Sequence, residues 1–163
     1  MNSDTHIDER SVDFLVRHLR SSAEILPWLE SFFAQHERRW RETDSPSLFA
    51  QPAQRDFYRR LAACADAAGW LRFTVLLADS SPVAFHFGFA HQGSFLWYKP
   101  SFDVALARRS PGEVLLRQLI LAAQAEGMQN FDFGLGDETF KRRFADQFPM
   151  VRTWGLYPSA GAA

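Results

Sequence analysis

The hydrophobic pattern of this chain changes its period once, near Gly69, and this change restricts the fold more than any other feature. Before Gly69, apolar residues such as Ile25 and Leu29 recur every three or four positions, which is typical of amphipathic helices. After it, apolar residues alternate with small or polar ones, which is typical of strands. The sequence therefore predicts a helical part that begins near Val12 and ends before Gly69, and a sheet over residues 70–157.

The part after Gly69 predicts a meander of three antiparallel strands, because the strands are short and joined by turns. The helix that follows is long enough for a right-handed crossover, which would make the third and fourth strands a parallel pair. The predicted elements are strands at Leu71–Leu77, Val83–Ala90 and Phe95–Tyr98, a helix at Pro111–Glu126, a strand at Asn130–Gly134, a short helix from about Glu138 and a last strand near Met150–Tyr157. The predicted fold class is α/β, with a mixed central sheet flanked by helices.

Length and composition fit one domain with a well-filled core over residues 1–163. Of the 163 residues, 47% are hydrophobic and 16 are Phe, enough apolar side chains for one core. The net charge of -1 gives no sign of nucleic-acid binding, which normally requires a basic excess. No signal peptide, transit peptide or membrane span is recognisable, so a cytoplasmic location is expected. The five histidines lack metal-ligand spacing, so no metal site is predicted.

The segment Arg108–Leu116 predicts a helix start that suits a phosphate-bearing cofactor. Ser110 would be the N-cap and Glu113 its capping-box partner, with Pro at the first helical position and Gly at the second. A helix N-terminus presents unpaired backbone N–H groups and partial positive charge, and Gly112 would let a phosphate approach the backbone. A well-capped helix without any ligand would explain the same pattern. The predicted cofactor-binding residues in this segment are Arg108, Arg109, Ser110, Pro111 and Gly112.

Several spaced motifs agree in order with one known family. They are Phe102-Asp103, Ser110-Pro-Gly with Leu115-Leu116, Gly127, and the run Phe131–Phe144. In this order they resemble the CelD/BcsL-type acetyltransferases, a branch of the GNAT superfamily close to the FemAB transferases. The resemblance implies the GNAT acyltransferase fold, acetyl-CoA or another acyl-CoA as the acyl donor, and coenzyme A pyrophosphate bound at the helix start.

The resemblance also implies an active site where two parallel strands separate. In GNAT proteins the acyl thioester lies in this fork, and an amine attacks it. Here the fork would lie between Phe95–Lys99 and Phe131–Gly134. Asp132 is the expected general base, because partial burial would raise its pKa and suit it to accepting a proton from the amine. Asp132 could instead hold the loop through hydrogen bonds.

Tyr98 and His86 complete the predicted catalytic residues. The family motif usually has Tyr before the lysine, whereas this chain has Phe140. Either Tyr98 is the acid in its place, or no acid is needed, because a thiolate is a tolerable leaving group near neutral pH. His86 lies on the small-residue face of its strand, within reach of the fork, although a lone His is more often a hydrogen-bonded core residue.

Three residues after the fourth strand are also predicted to bind the cofactor, because they match the family motif: Gly134, Gly136 and Lys141. Asp137 would be the N-cap of the following short helix, and Lys141 could pair with it on the surface. The same residues could serve only to fix the loop.

These features leave three functions open. The first is an acyl-CoA-dependent N-acyltransferase that acts on an amine of a small molecule or of a saccharide or peptide precursor. The second is a FemAB-like transferase that uses aminoacyl-tRNA, and the third is a non-catalytic GNAT-like binding module. Relatives often carry two GNAT-like halves, and this chain matches the C-terminal half. A homodimer or a second GNAT-like half is therefore an expected partner.

Overall fold

The computed structural model describes residues 14–41 and 43–155. This part of the chain contains five strands, three α-helices and three short 3-10 turns. The strands are β1 (Phe14–Leu19), β2 (Leu71–Ala78), β3 (Ser81–His91), β4 (Ser94–Phe102) and β5 (Asn130–Asp132). The helices are α1 (Ser22–Trp40), α2 (Pro52–Ala67) and α3 (Pro111–Ala125), and the 3-10 turns are Leu48–Ala50, Val104–Arg109 and Lys141–Arg143.

The five strands form one mixed sheet in the order β1-β2-β3-β4-β5. Neighbours among the first four strands are antiparallel, whereas β4 and β5 are parallel. The α3 crossover separates these two strands in the chain, as the sequence predicted, because a parallel neighbour cannot be reached by a tight turn. The predicted α/β class with a mixed sheet between helices is confirmed.

Each face of the sheet carries its own hydrophobic core. Helices α1 and α2 cover the first face, where Phe32 contacts Phe73, Phe85 and Phe87 through its ring at centroid distances of 5.7, 6.0 and 6.3 Å. Helix α3 covers the opposite face. This second core contains mainly aliphatic and aromatic residues of β3, β4 and α3: Ala84, Ala90, Phe95, Trp97, Leu115, Leu116, Leu119 and Ala123. The sheet is therefore a middle layer, and β4 contributes side chains to both sides.

The first strand corrects the prediction of a helix from Val12. Residues 12–13 lie outside the described residues, but Phe14–Leu19 form β1, antiparallel to β2. His18 reaches Thr74 of β2, with 2.9 Å between Nδ1 and Oγ1. Pairing with β1 satisfies the backbone groups along an edge of β2, and this tertiary contact overrides the local helical pattern. Helix α1 starts only after Ser21, which forms a capping box with Glu24.

The last predicted elements are wrong in the described residues. The expected helix from Glu138 is a single 3-10 turn at Lys141–Arg143. Residues 150–155 form no strand, and residues 156–157 of the predicted last strand lie outside the described part. Met150 and Trp154 are 78% and 84% exposed, so little apolar burial offsets the entropy of ordering this segment. None of the helices in the described ranges is long and apolar enough to cross a membrane.

Candidate active site

The parallel pair β4 and β5 separates soon after it forms. Its three paired rows run from Ser94 opposite Asn130 to Leu96 opposite Asp132. Beyond Leu96, β4 continues to Phe102, whereas β5 ends and the chain turns at Gly134, whose φ is +68°. The strand expected at residues 130–134 is therefore shorter. Gly134 can make the turn because glycine adopts a positive φ without strain. We call the opening between residues 97–99 and 132–134 the fork.

A β-bulge in β4 lies at the fork. Phe87 pairs with Lys99, but Phe89 pairs with Leu96, so Gly88 of β3 stands opposite two residues of β4. A bulge bends its strand and changes the direction of the side chains around it. The two residues at this bulge are Trp97, which is buried, and Tyr98, which is 40% exposed.

The imidazole of His86 fills the space behind the bulge. It is fully buried and stacks on Trp97 and Phe95 at centroid distances of 5.0 and 5.6 Å. Its Nε2 accepts a hydrogen bond from the Tyr98 backbone N–H at 3.3 Å, and Nδ1 has no partner in the described part of the protein. A Cβ on Gly88 would lie 2.1 Å from His86 Cε1, so the ring occupies space that only glycine leaves free.

Burial keeps His86 neutral. Desolvation lowers the pKa of His86 to about 3, against an ordinary value of 6.5. The structure therefore places His86 beside the fork, as a neutral buried ring bound to the β4 backbone. Its predicted catalytic role stays a prediction.

The two buried histidines make stability depend on pH. Burial, followed by the positive charge of Lys99, lowers the pKa of His36 to about 4. Unfolding lets both rings bind protons below pH 6.5 while the folded state does not, so stability falls as pH falls. Between pH 7.5 and 5.5 we expect urea unfolding to show a loss of about 1.3 kcal/mol for each histidine. The variant His36→Gln should lose about 1.3 kcal/mol of this pH dependence, the share of one histidine. An unchanged free energy of unfolding across this range would contradict the prediction.

Tyr98 is the second residue of the bulge, and its side chain faces the first core. The hydroxyl of Tyr58 on α2 donates a hydrogen bond to the Tyr98 hydroxyl at 3.0 Å. Phe140, at the motif position where a tyrosine was expected, makes an edge contact with Phe133 at a centroid distance of 6.2 Å. The fork therefore has one partly exposed phenol on β4 and a phenyl ring on the loop beyond β5.

Asp132 is exposed, which corrects the expectation that it is partly buried. Asp132 is the last residue of the three-residue strand β5. Because β5 is at the edge of the sheet, no further strand covers Asp132 among the described residues. Its Oδ1 accepts a hydrogen bond from the Gly134 backbone N–H at 2.7 Å. The carboxylate thus helps to hold the turn at the fork, as in the alternative interpretation, and its role as a base stays a prediction.

The loop after the fork is organised around Lys141, which is 7% exposed. Its Nζ donates to the backbone oxygen of Leu135 at 2.6 Å and pairs with Glu138 at 2.7 Å. The hydrogen bond from Lys141 lowers the pKa of Glu138. The expected surface pair of Lys141 with Asp137 and the cap by Asp137 are wrong, because Lys141 turns inward and Phe140 precedes the 3-10 turn.

Helix α3 starts with Pro111 and Gly112 at its first two positions, as predicted, but the capping box is wrong. Ser110 has φ +49° and its side chain accepts no capping hydrogen bond. A capping side chain requires an extended N-cap, and the left-handed conformation of Ser110 does not provide it. Glu113 instead pairs with Arg143 at 3.1 Å, so its negative charge is offset at the proposed phosphate site.

Gly112 allows the start of α3 to pack closely against the end of β4. A Cβ at Gly112 would lie 3.0 Å from the ring of Phe102. The guanidinium of Arg39 on α1 covers this ring at 4.2 Å and donates to the Pro100 backbone oxygen at 3.1 Å. This stack of Arg39, Phe102 and Gly112 joins the helix start to the strand that forms the fork.

The surface around the start of α3 is open to a ligand. Arg108, Arg109 and Ser110 are all exposed. A groove of about 520 Å³ begins at Ser110 and is also lined by Val114, Arg117 and Phe144. The predicted phosphate-binding residues thus lie at or just before the start of α3, which packs against the end of β4 through Gly112 and Phe102.

Comparison with known proteins identifies the family. A family model described as an acetyltransferase (GNAT) domain matches residues 6–142. The chain belongs to the GNAT acetyltransferase family. Its acyl donor is accordingly an acyl-CoA. No curated protein matches the sequence.

Solved structures share this GNAT fold at low sequence identity. An aminoglycoside acetyltransferase from an uncultured soil metagenomic sample, in complex with sisomicin, is 12% identical over 88% of this chain and 97% of that one, with a TM-score of 0.60. A GCN5-related N-acetyltransferase from Ralstonia eutropha JMP134 is 17% identical over 91% and 100%, with a TM-score of 0.60. Aminoglycoside N-acetyltransferase AAC(6')-Iy, in complex with CoA, is 12% identical over 93% and 98%, with a TM-score of 0.57.

The residues present in this GNAT domain fit a coenzyme A donor. Exposed arginines stand beside a helix N-terminus. On the side that faces β5, strand β4 has no strand partner beyond Leu96 in the described part of the chain.

Sequence reasoning missed two residues of the site. Gly88 carried a usable signal, since a glycine inside a strand pattern indicates a bulge. Tyr58 carried none, because an apolar-spaced aromatic on a helix indicates only core packing.

Proposed function

We propose that this GNAT domain transfers an acetyl group from acetyl-CoA to a primary amine of a small polar acceptor, such as an amino sugar. The observation that carries the proposal is the fork, where β4 is bulged and no longer pairs with β5 beyond Leu96, beside an exposed carboxylate and a partly exposed phenol. Two neighbours support the acceptor class: one structure contains sisomicin, and AAC(6')-Iy was also solved with the bisubstrate analogue CoA-S-monomethyl-acetylneamine.

The proposed donor site runs from the start of α3 to the fork. The pyrophosphate is held by the α3 N-terminus and by the exposed side chains of Arg108 and Arg109. Gly112 keeps this helix start close to β4 through Phe102. The loop formed by Gly134, Gly136 and Lys141 shapes the far wall of the fork.

The proposed chemistry uses the two groups at the fork. Asp132 takes a proton from the attacking amine, and Tyr98 gives a proton to the departing thiolate. His86 supports the fork as a buried ring whose Nε2 accepts a hydrogen bond from the Tyr98 backbone N–H, and its predicted catalytic role stays a prediction. The assignment to the CelD/BcsL branch, the homodimer or second GNAT-like half, and the cytoplasmic location stay predictions.

Acetyl-CoA binding tests the donor site directly. We expect titration calorimetry to detect binding of acetyl-CoA to the wild type, and Arg108→Glu and Arg109→Glu to weaken it about tenfold each, because each places a negative charge beside the pyrophosphate. Arg60→Glu is the matched control, since it makes the same charge change at an exposed position on α2. Equal effects of all three variants would show that the pyrophosphate binds elsewhere.

Activity is then measured as thiol release from acetyl-CoA with sisomicin, neamine and glucosamine as acceptors. Amine-dependent release supports the proposal. Acetyl-CoA binding with no release for any amine favours the non-catalytic module. If acetyl-CoA does not bind at all, the proposed function is wrong.

A further inference from the structure

Two tyrosines form a hydrogen-bonded stack beside the fork. Tyr58 of α2 is 2% exposed and Tyr98 of β4 is 40% exposed. Their rings are nearly parallel, at 12°, with centroids 6.3 Å apart, and the Tyr58 hydroxyl donates to the Tyr98 hydroxyl oxygen at 3.0 Å. The ring of Phe89 contacts the ring of Tyr98 at a centroid distance of 5.5 Å. The buried tyrosine therefore fixes the position of the exposed one.

We propose that Tyr58 is a positioning residue that holds the Tyr98 hydroxyl and directs its proton away from the core, so that Tyr98 can donate it to the leaving thiolate. This inference rests on the proposed acetyl transfer. A phenol oxygen that accepts a hydrogen bond from one side must point its own O–H elsewhere. Tyr58 lies on the core side, so the remaining direction is toward solvent and the fork.

The surroundings of the pair favour this division of roles. Burial, with the hydrogen bond to Tyr98, raises the pKa of Tyr58 above its ordinary range, so Tyr58 remains a donor at any working pH. Lys99 lies on the same strand, and its Nζ lies over the Tyr98 ring, 5.3 Å from the ring centre.

Helix α1 and strand β3 add little charge near the phenol, whereas β5 carries the exposed carboxylate of Asp132 at the fork. From α1, Arg39 bonds to the backbone oxygen of Pro100, further along β4, and His36 is a buried neutral ring. From β3, the contact with Tyr98 is made by a phenylalanine, Phe89. Tyr58 is thus the residue whose hydrogen bond to the Tyr98 oxygen the structure shows in the described part of the chain.

The proton balance of the step is complete. The amine nitrogen attacks the thioester carbonyl, a C–N bond forms, and the C–S bond breaks. The Tyr98 proton goes to sulfur, which leaves as the free thiol of coenzyme A. The phenolate that remains is held by the Tyr58 hydroxyl and is reprotonated from solvent. The proton lost by nitrogen goes to Asp132 and from there to solvent.

The test is a double-mutant cycle of Tyr58→Phe, Tyr98→Phe and the double variant. It is measured as kcat and KM for thiol release from acetyl-CoA with the best amine of the panel above. We expect kcat to fall about 100-fold in Tyr98→Phe, the scale of general acid catalysis, and about tenfold in Tyr58→Phe, with KM for acetyl-CoA unchanged. In the Tyr98→Phe background, Tyr58→Phe should have no further effect on kcat, because Tyr58 acts only through Tyr98.

Controls separate this inference from the proposed function. Arg60→Gln changes an exposed side chain two residues from Tyr58 on α2 and should leave kcat unchanged. An active wild type whose kcat is altered less than twofold by Tyr58→Phe overturns the inference and leaves acetyl transfer intact. The same kcat loss from Tyr58→Phe in both backgrounds also overturns it, since a purely structural role acts in both. A wild type that neither binds nor uses acetyl-CoA overturns the function and the inference together.

Discussion

Replacing Gly88 with alanine should cost about 3 kcal/mol or more of unfolding free energy, the largest effect of any single substitution considered for this protein. The new Cβ would meet His86 Cε1 at 2.1 Å and the backbone oxygen of Leu96 at 2.5 Å. The imidazole cannot move far, because it stacks between two aromatic rings in the second core. The strand would have to open, and urea unfolding measures the loss.

A matched control comes from another glycine next to β2. Gly69 has φ +73° and no atom within 4 Å of an added Cβ, so Gly69→Ala should cost only about 1 kcal/mol of backbone strain. Adding His86→Ala to Gly88→Ala removes the imidazole ring. The double variant should recover only part of the unfolding free energy lost in Gly88→Ala, because the clash with the Leu96 oxygen remains. If the free energies of unfolding of Gly88→Ala and Gly69→Ala differ by less than about 1 kcal/mol, the ring does not occupy the space behind the bulge.

The second large effect is expected from Asp132→Asn, which should lower kcat about 100-fold, the usual scale of general base catalysis. An asparagine oxygen can still accept the hydrogen bond from the Gly134 N–H, and the side chain is exposed, so the turn keeps its geometry. The substitution therefore removes the charge and basicity without removing the loop contact. Steady-state thiol release measures kcat, and calorimetry checks that acetyl-CoA affinity is unchanged.

Asp132→Ala is the informative partner of this variant, because it removes both the charge and the hydrogen bond. If Asp132 only holds the turn, alanine should weaken acetyl-CoA binding and lower stability by about 1 kcal/mol, whereas asparagine should leave kcat near the wild-type value. Equal turnover in Asp132→Asn and the wild type would remove Asp132 from the catalytic residues.

Strands β2 to β5 were predictable because their side-chain alternation is strong and local, whereas the last predicted strand, near Met150–Tyr157, was wrong in the described residues. Phe85 and Phe87 lie on one face and Ala84 and His86 on the other, as the sequence indicated. The parallel pair followed from the length of the α3 crossover. β1 was not predictable in this way, since its strand conformation depends on pairing with β2, some 56 residues later in the chain at His18 and Thr74.

The candidate site was only partly predictable for a related reason. The start of α3 is a local feature, and Pro111 and Gly112 occupy the positions that the sequence indicated. The partners of Glu113 and Lys141, in contrast, depend on how the loop after β5 folds back, which brings Arg143 to the one and Leu135 to the other. Exposure of Asp132 follows from its place on an edge strand, and the sequence does not show which strand is at the edge.

The arrangement of the two cores has a consequence for laboratory evolution. Tyr58 and its aromatic neighbours belong to the core under α1 and α2, whereas the proposed coenzyme A site is built on α3 above the other core. Libraries that vary the exposed face of α2 are therefore expected to leave the proposed donor site unchanged. The place to leave untouched is the stack of Arg39, Phe102 and Gly112, where a side chain from the first layer reaches the last.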